Sequence, residues 1–136
     1  LRFHSRGEFH HEVISSRLRD LIKMKENKIA DLSMDIAVKA LELTEKISGH
    51  NALKNQFERS STSIGANARE ANYAQSKADF ISKLKIALKE CYETEFWLEL
   101  FEKSKIVRSE DIKEIKHLCG QVRKMLISSI NTLDGK

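Results

Sequence analysis

Residues 60–72 read SSTSIGANAREAN. Four consecutive hydroxyl residues are followed by Ile64, Gly65 and alanines at 66, 68 and 71. Two readings compete: a loop dividing two short helices, or one continuous helix pressed against a near neighbour. The spacing favours the helix. Leu53, Phe57, Ser60/Ser61, Ile64, Ala68 and Ala71 recur every three or four residues straight through the stretch, the pattern of one buried helical face. Small side chains at its centre let a second helix axis come close. Buried Ser and Thr hydroxyls can bond back to carbonyls one turn earlier. Gly65 costs about 1 kcal/mol relative to Ala within a helix, and close approach of another backbone offsets that.

The same period marks three further helices. The first is expected over about residues 28–48, with Ile29, Leu32, Ile36, Ala40, Leu43 and Ile47 on one face and Gly49 as its stop. The second spans about 52–73. The third spans about 77–103, opened by Ser76 with Asp79 in a capping-box arrangement. Its main stripe is Phe80, Leu84, Ala87, Cys91, Thr94, Leu98 and Phe101; Ile81, Leu88, Tyr92, Trp97 and Leu100 broaden it. A face so wide on a small bundle predicts burial against copies of the same chain. The fourth helix follows Ser109 as N-cap, with Glu110 and Asp111 in its first turn and Ile112, Ile115, Cys119, Val122, Leu126, Ser129/Ile130 and Leu133 buried. Short connections between four helices predict an all-α, antiparallel up-down-up-down bundle that self-associates.

Composition agrees. The 136 residues include no proline and only five glycines, which favours helix over a turn-rich sheet protein. The formal charge is +4, but residues 1–23 carry five Lys/Arg against three Asp/Glu, so the longer remainder is nearly balanced. No strongly basic footprint shows in that total. Residues 1–23 read as a flexible extension, vector-derived or translated from upstream, and 24–136 as the bundle, with Met24 a natural start. His10 and His11 project about 100° apart on a helix and make a poor chelate. Two cysteines on apolar faces suit a reducing cytoplasm. No apolar run approaches the ~20 residues of a membrane span.

Few residue patterns point to chemistry. There is no phosphate loop, His-Glu-x-x-His or Cys-x-x-Cys. Cys91 with His117 could pair as nucleophile and base, but Cys91 falls on the most apolar stripe. Glu70, Glu90 and Glu93 lack the histidines of a carboxylate metal bundle. No catalytic residue, cofactor, metal or small-molecule substrate is expected. Glu70 or Glu90 is expected to pair with Arg59 or Arg69 and set the register of helices two and three; the competing reading makes all of them surface or intersubunit residues. Lys83, Lys85 and Lys89 are candidate phosphate contacts in a lysine-lined groove or channel; the competing reading is a solvated face of mixed charge.

The two longest patterned segments resemble a known family. Gln56, Arg59, Ser60, Ser63, Ile64, Asn67, Ala68, Glu70 and Ala71 in helix two are similar, in order and spacing, to the bacterial four-helix bundle proteins related to the 23S ribosomal RNA intervening-sequence proteins. So are Ser76, Asp79, Phe80, Lys83, Leu84, Ala87, Leu88, Lys89, Glu90, Glu93, Thr94, Phe96, Trp97 and Leu98 in helix three. Gly65 stands where one branch of the family has proline. The resemblance covers about residues 35–133. It implies a four-helix bundle that forms a homo-oligomer, commonly a pentamer with a central channel, and an unsettled biochemical role. A distant relative, the accessory protein of diversity-generating retroelements, looks like a basic pentamer associating with nucleic acid and reverse transcriptase; the near-neutral body here weakens that analogy. The expectation is a non-enzymatic scaffold associated with RNA or ribonucleoprotein, or else a protein–protein adaptor with no nucleic-acid contact.

Overall fold

The helical period through Gly65 is continuous in three dimensions. In the computed structural model, which describes residues 16–135, α2 runs unbroken over Asn51–Ala71. Before it comes α1, Ser16–Lys46; after it come α3, Lys77–Lys103, and α4, Ser109–Asp134. Each helix packs along the two adjacent to it around the bundle, α1 against both α2 and α4, and the diagonal pairs lie farther apart. This is the four-helix bundle that the spacing predicts. The connections are short. Gly49 and His50 take left-handed conformations, φ 74° and 55°, to turn α1 into α2.

The hydroxyl run is satisfied locally. Ser60 and Ser61 donate to the carbonyls three residues back, and Thr62 and Ser63 reach those four residues back at 2.7 and 2.6 Å. Ser60 also accepts from Thr94 Oγ1 of α3 at 3.0 Å, although that hydroxyl's single proton also has the Glu90 carbonyl at 2.9 Å. Gly65 faces the other way. A methyl group added there would stand 3.2 Å from Ser33 Cβ of α1, tighter than ordinary contact. The glycine therefore serves the α1–α2 approach, and Ser60 serves α2–α3.

The first helix begins twelve residues ahead of its expected start. Its buried line is Ile22, Glu26, Ile29, Ser33, Ile36, Ala40 and Leu43. A carboxylate in that line, Glu26, interrupts the apolar period ahead of Ile29, and the helix extends beyond the start that the period marks. Residues 16–23, assigned to the extension, are helical here and Ile22 is buried. His10 and His11 lie outside the described residues.

The core is aliphatic with three phenylalanines at full burial, Phe57, Phe80 and Phe101. Phe57 and Phe101 meet edge to face at 5.4 Å, tying α2 to the end of α3. Ser76 caps α3 by accepting from the Asp79 N–H at 3.0 Å. The Asp79 carboxylate reaches one residue further than a capping box requires, to the Gln75 N–H. At α4 the cap also shifts by one: Ser109 is already helical, and Asp111 accepts from the Arg108 N–H at 3.2 Å. The neighbouring guanidinium of Arg108 holds the Asp111 carboxyl below its usual range. Among the described residues no helix is long and apolar enough to cross a membrane.

Candidate functional site

Two polar constellations stand out, both built on α3. The first joins α2 to α3. Gln56 and Arg59 lie one turn apart on α2, as Glu90, Glu93 and Trp97 do on α3. The Arg59 guanidinium donates to both Glu90 oxygens at 3.1 and 3.3 Å and to Glu93 through its second terminal nitrogen. Gln56 accepts from Arg59 Nε at 3.4 Å, and Trp97 Nε1 donates to Glu93 at 3.2 Å. Two carboxylates on one guanidinium raise the arginine's pKa against the opposing effect of desolvation. Five of the family-motif residues thus form one network whose geometry holds two helices in register. Both acids in it are engaged by Arg59.

The expected Arg59–Glu90 pair is therefore present. Arg69 and Glu70 are exposed and lie outside this network. Ser63 and Asn67 bond only to carbonyls of their own helix. Ile64 and Phe80 are core.

The second constellation is an open groove of about 870 Å³ where the start of α3 passes the end of α4. Lys77, Lys85 and Lys89 line it, with Ile81, Ile86 and Leu133 as its apolar surface. Asp134, the last residue of α4, enters the groove and pairs with Lys85 at 3.4 Å. Of the candidate phosphate contacts, Lys85 and Lys89 are brought together. Lys83 is not: two residues from Lys85, it projects about 200° away around the helix and does not line the groove. The helical period already carried that distinction. Asp134 could not have been placed from sequence, because it depends on where α4 ends.

The α3 face that carries this groove continues past it. Tyr92 and Phe96 follow Lys85 and Lys89 at spacings of three and four, and both rings are more than half exposed. Phe96 packs edge-on against Trp97 at 5.1 Å, and Trp97 is in turn held by Glu93. The broad apolar face expected on α3 is therefore divided: Leu88, Trp97 and Leu100 are half-buried against the body, while Tyr92 is exposed. A longer uncovered apolar stripe lies on α1, where Met34, Val38 and Leu41 are between 45% and 51% exposed.

Cys91 and Cys119 are free and fully buried. Cys91 Sγ donates to the Cys119 carbonyl at 3.3 Å. The Cys119 thiol is pushed far up by its bond with Cys91 and by burial, so it does not form the reactive thiolate. His117 is exposed and does not join them. Among the described residues no three His, Cys, Asp or Glu side chains could hold a metal ion together.

Comparison with known proteins agrees with this architecture. No curated protein matches the chain. A solved structure from Bacteroides thetaiotaomicron, described as a protein of unknown function from the S23 ribosomal protein family, is 43% identical over 79% of this chain and 98% of its own, with a TM-score of 0.73. A sequence model for the 23S rRNA-intervening sequence protein matches residues 25–128, which include both α3 constellations except for the Asp134 end of the groove. The chain therefore belongs to the 23S rRNA-intervening sequence protein family.

Proposed function

We propose that this chain is a non-enzymatic scaffold that assembles with copies of itself and serves an RNA or a ribonucleoprotein. The observation that carries the reading is the uncovered stripe of Met34, Val38 and Leu41 on α1. These residues fall at i, i+4 and i+7, a single line on a helix whose other face is already packed. Apolar side chains aligned in this way lose contact with water when a second chain covers them. The copy number expected from the family resemblance is five. The RNA side of the reading rests on the family's link to 23S rRNA intervening sequences and on the lysine groove. Two buried free thiols fit a reducing cytoplasm.

The nearly even balance of charge over the body favours a second reading, a protein–protein adaptor. Sedimentation equilibrium on the full chain, combined with crosslinking in native cells, separates the two. An assembly that Val38→Glu dissociates, with RNA crosslinked to it, is expected. A monomeric wild-type chain overturns the scaffold. A single co-purifying protein that survives nuclease treatment, without crosslinked RNA, replaces the RNA partner with an adaptor's.

A further inference from the structure

We propose that the α3 face running from Lys77 to Phe96 is a binding platform for single-stranded nucleic acid, and that Asp134 is an internal competitor for its phosphates. The inference rests on the RNA reading above and locates it on named residues. Lys85 and Lys89 are separated by about 6 Å along the helix axis and Lys77 and Lys85 by about 12 Å, comparable to one and two phosphate steps of an extended strand. Lysine supplies a compact point charge suited to a backbone that is tracked without reading sequence. The groove they line is open and about 870 Å³ in volume, with Ile81, Ile86 and Leu133 as its apolar lining.

The next turns of the same face carry the second element a single strand needs. Tyr92 and Phe96 are 52% and 57% exposed, and Phe96 is held edge-on by Trp97. An exposed ring accepts the face of any base, so cations followed by aromatic rings make a sequence-tolerant single-strand site. In a duplex the bases are already stacked and cannot reach such rings. An acidic peptide would engage the lysines, but it carries no regular succession of flat bases to stack on the rings.

Asp134 gives the platform a built-in opponent. It lies at the C-terminal end of α4, where a negative charge opposes the helix dipole, and the last turn of α4 has no basic residue. Lys85 is its ion-pair partner. An incoming phosphate must displace that carboxylate from Lys85, so the resting groove is partly neutralised.

Fluorescence anisotropy on the full chain tests the platform, using labelled oligouridylate and oligodeoxythymidylate 15-mers and a duplex of the same length. Binding of either single strand above the duplex is expected. Lys85→Gln/Lys89→Gln should weaken it at least tenfold and flatten the log–log salt slope by about 1.4, at about 0.7 per phosphate contact. Tyr92→Leu/Phe96→Leu should weaken it several-fold with the salt slope unchanged. Asp134→Asn should tighten it several-fold without lowering the melting temperature. Equal affinity for duplex, or lysine and aromatic variants that bind like the wild type, overturns the platform; an unchanged Asp134→Asn overturns the competitor. RNA crosslinked in cells but indifferent to all these variants leaves the scaffold reading standing and removes this one.

Discussion

Arg59 reaches from α2 to α3 and places one guanidinium nitrogen within 3.1 and 3.3 Å of the two Glu90 oxygens. The Glu90 side chain is 15% exposed and Arg59 46%, so the acid lies at the edge of the core and the base caps it from solvent. An exposed pair contributes little on its own. This one is reinforced by Glu93, Gln56 and Trp97, and it fixes which turns of α2 and α3 lie side by side.

Arg59→Met tests that role. The substitution keeps an unbranched stem but leaves Glu90 and Glu93 facing each other without a cation. A loss of about 1 kcal/mol is expected, smaller when measured in 1 M salt because screening weakens the wild-type network. Chemical unfolding at low and high salt reads it. Identical stability in both conditions would show that the network is incidental to register.

Gly65 and Ser33 set the α1–α2 distance. Gly65→Ala improves helix propensity by about 1 kcal/mol, yet its methyl would meet Ser33 Cβ at 3.2 Å within a packed helix pair. The net effect expected is destabilisation by about 1 kcal/mol. Ser33→Gly removes the opposing carbon, so the double variant should be more stable than the sum of the singles by at least about 0.5 kcal/mol. A double-mutant cycle in urea measures the coupling; strict additivity would place the reason for Gly65 elsewhere.

Glu26 makes stability depend on pH. It lies in the buried line of α1, its Oε1 has no hydrogen-bond partner among the described residues, and burial pushes its pKa from the ordinary 4.5 up to about 7. Between those values the folded chain keeps a proton that the unfolded chain has released. The contribution of this residue to stability therefore falls as pH rises through that window and is level on either side. Glu26→Gln should remove the slope. It should match the wild type near pH 4 and exceed it by about 3 kcal/mol near pH 8. Parallel unfolding curves for the two proteins at every pH would refute the buried charge.

Much of this was written in the local pattern. Period alone places the α2, α3 and α4 helices and most of their buried residues, because a side chain's direction repeats with the backbone turn and needs no knowledge of a partner. The hydroxyl run could be read as helical for a related reason: Ser60, Ser61, Thr62 and Ser63 satisfy themselves on carbonyls of their own helix. The separation of Lys83 from Lys85 and Lys89 was equally legible in the helical angle.

Other features depend on distances between segments far apart in the chain, which no local period encodes. Periodicity says that Gly65 faces inward, but only the bundle decides that it meets Ser33 on α1 while Ser60 meets Thr94 on α3. Charge says that Arg59 wants an acid, but only the α2–α3 alignment selects Glu90 and Glu93 over Glu70. Glu26 hid the start of α1 because a carboxylate reads as solvent-facing until the surrounding helices enclose it. Asp134 joined Lys85 only because α3 and α4 run side by side to their ends. The sequence determined the helices and their buried faces by itself; tertiary packing chose the partners, because a partner is defined by where another helix lies.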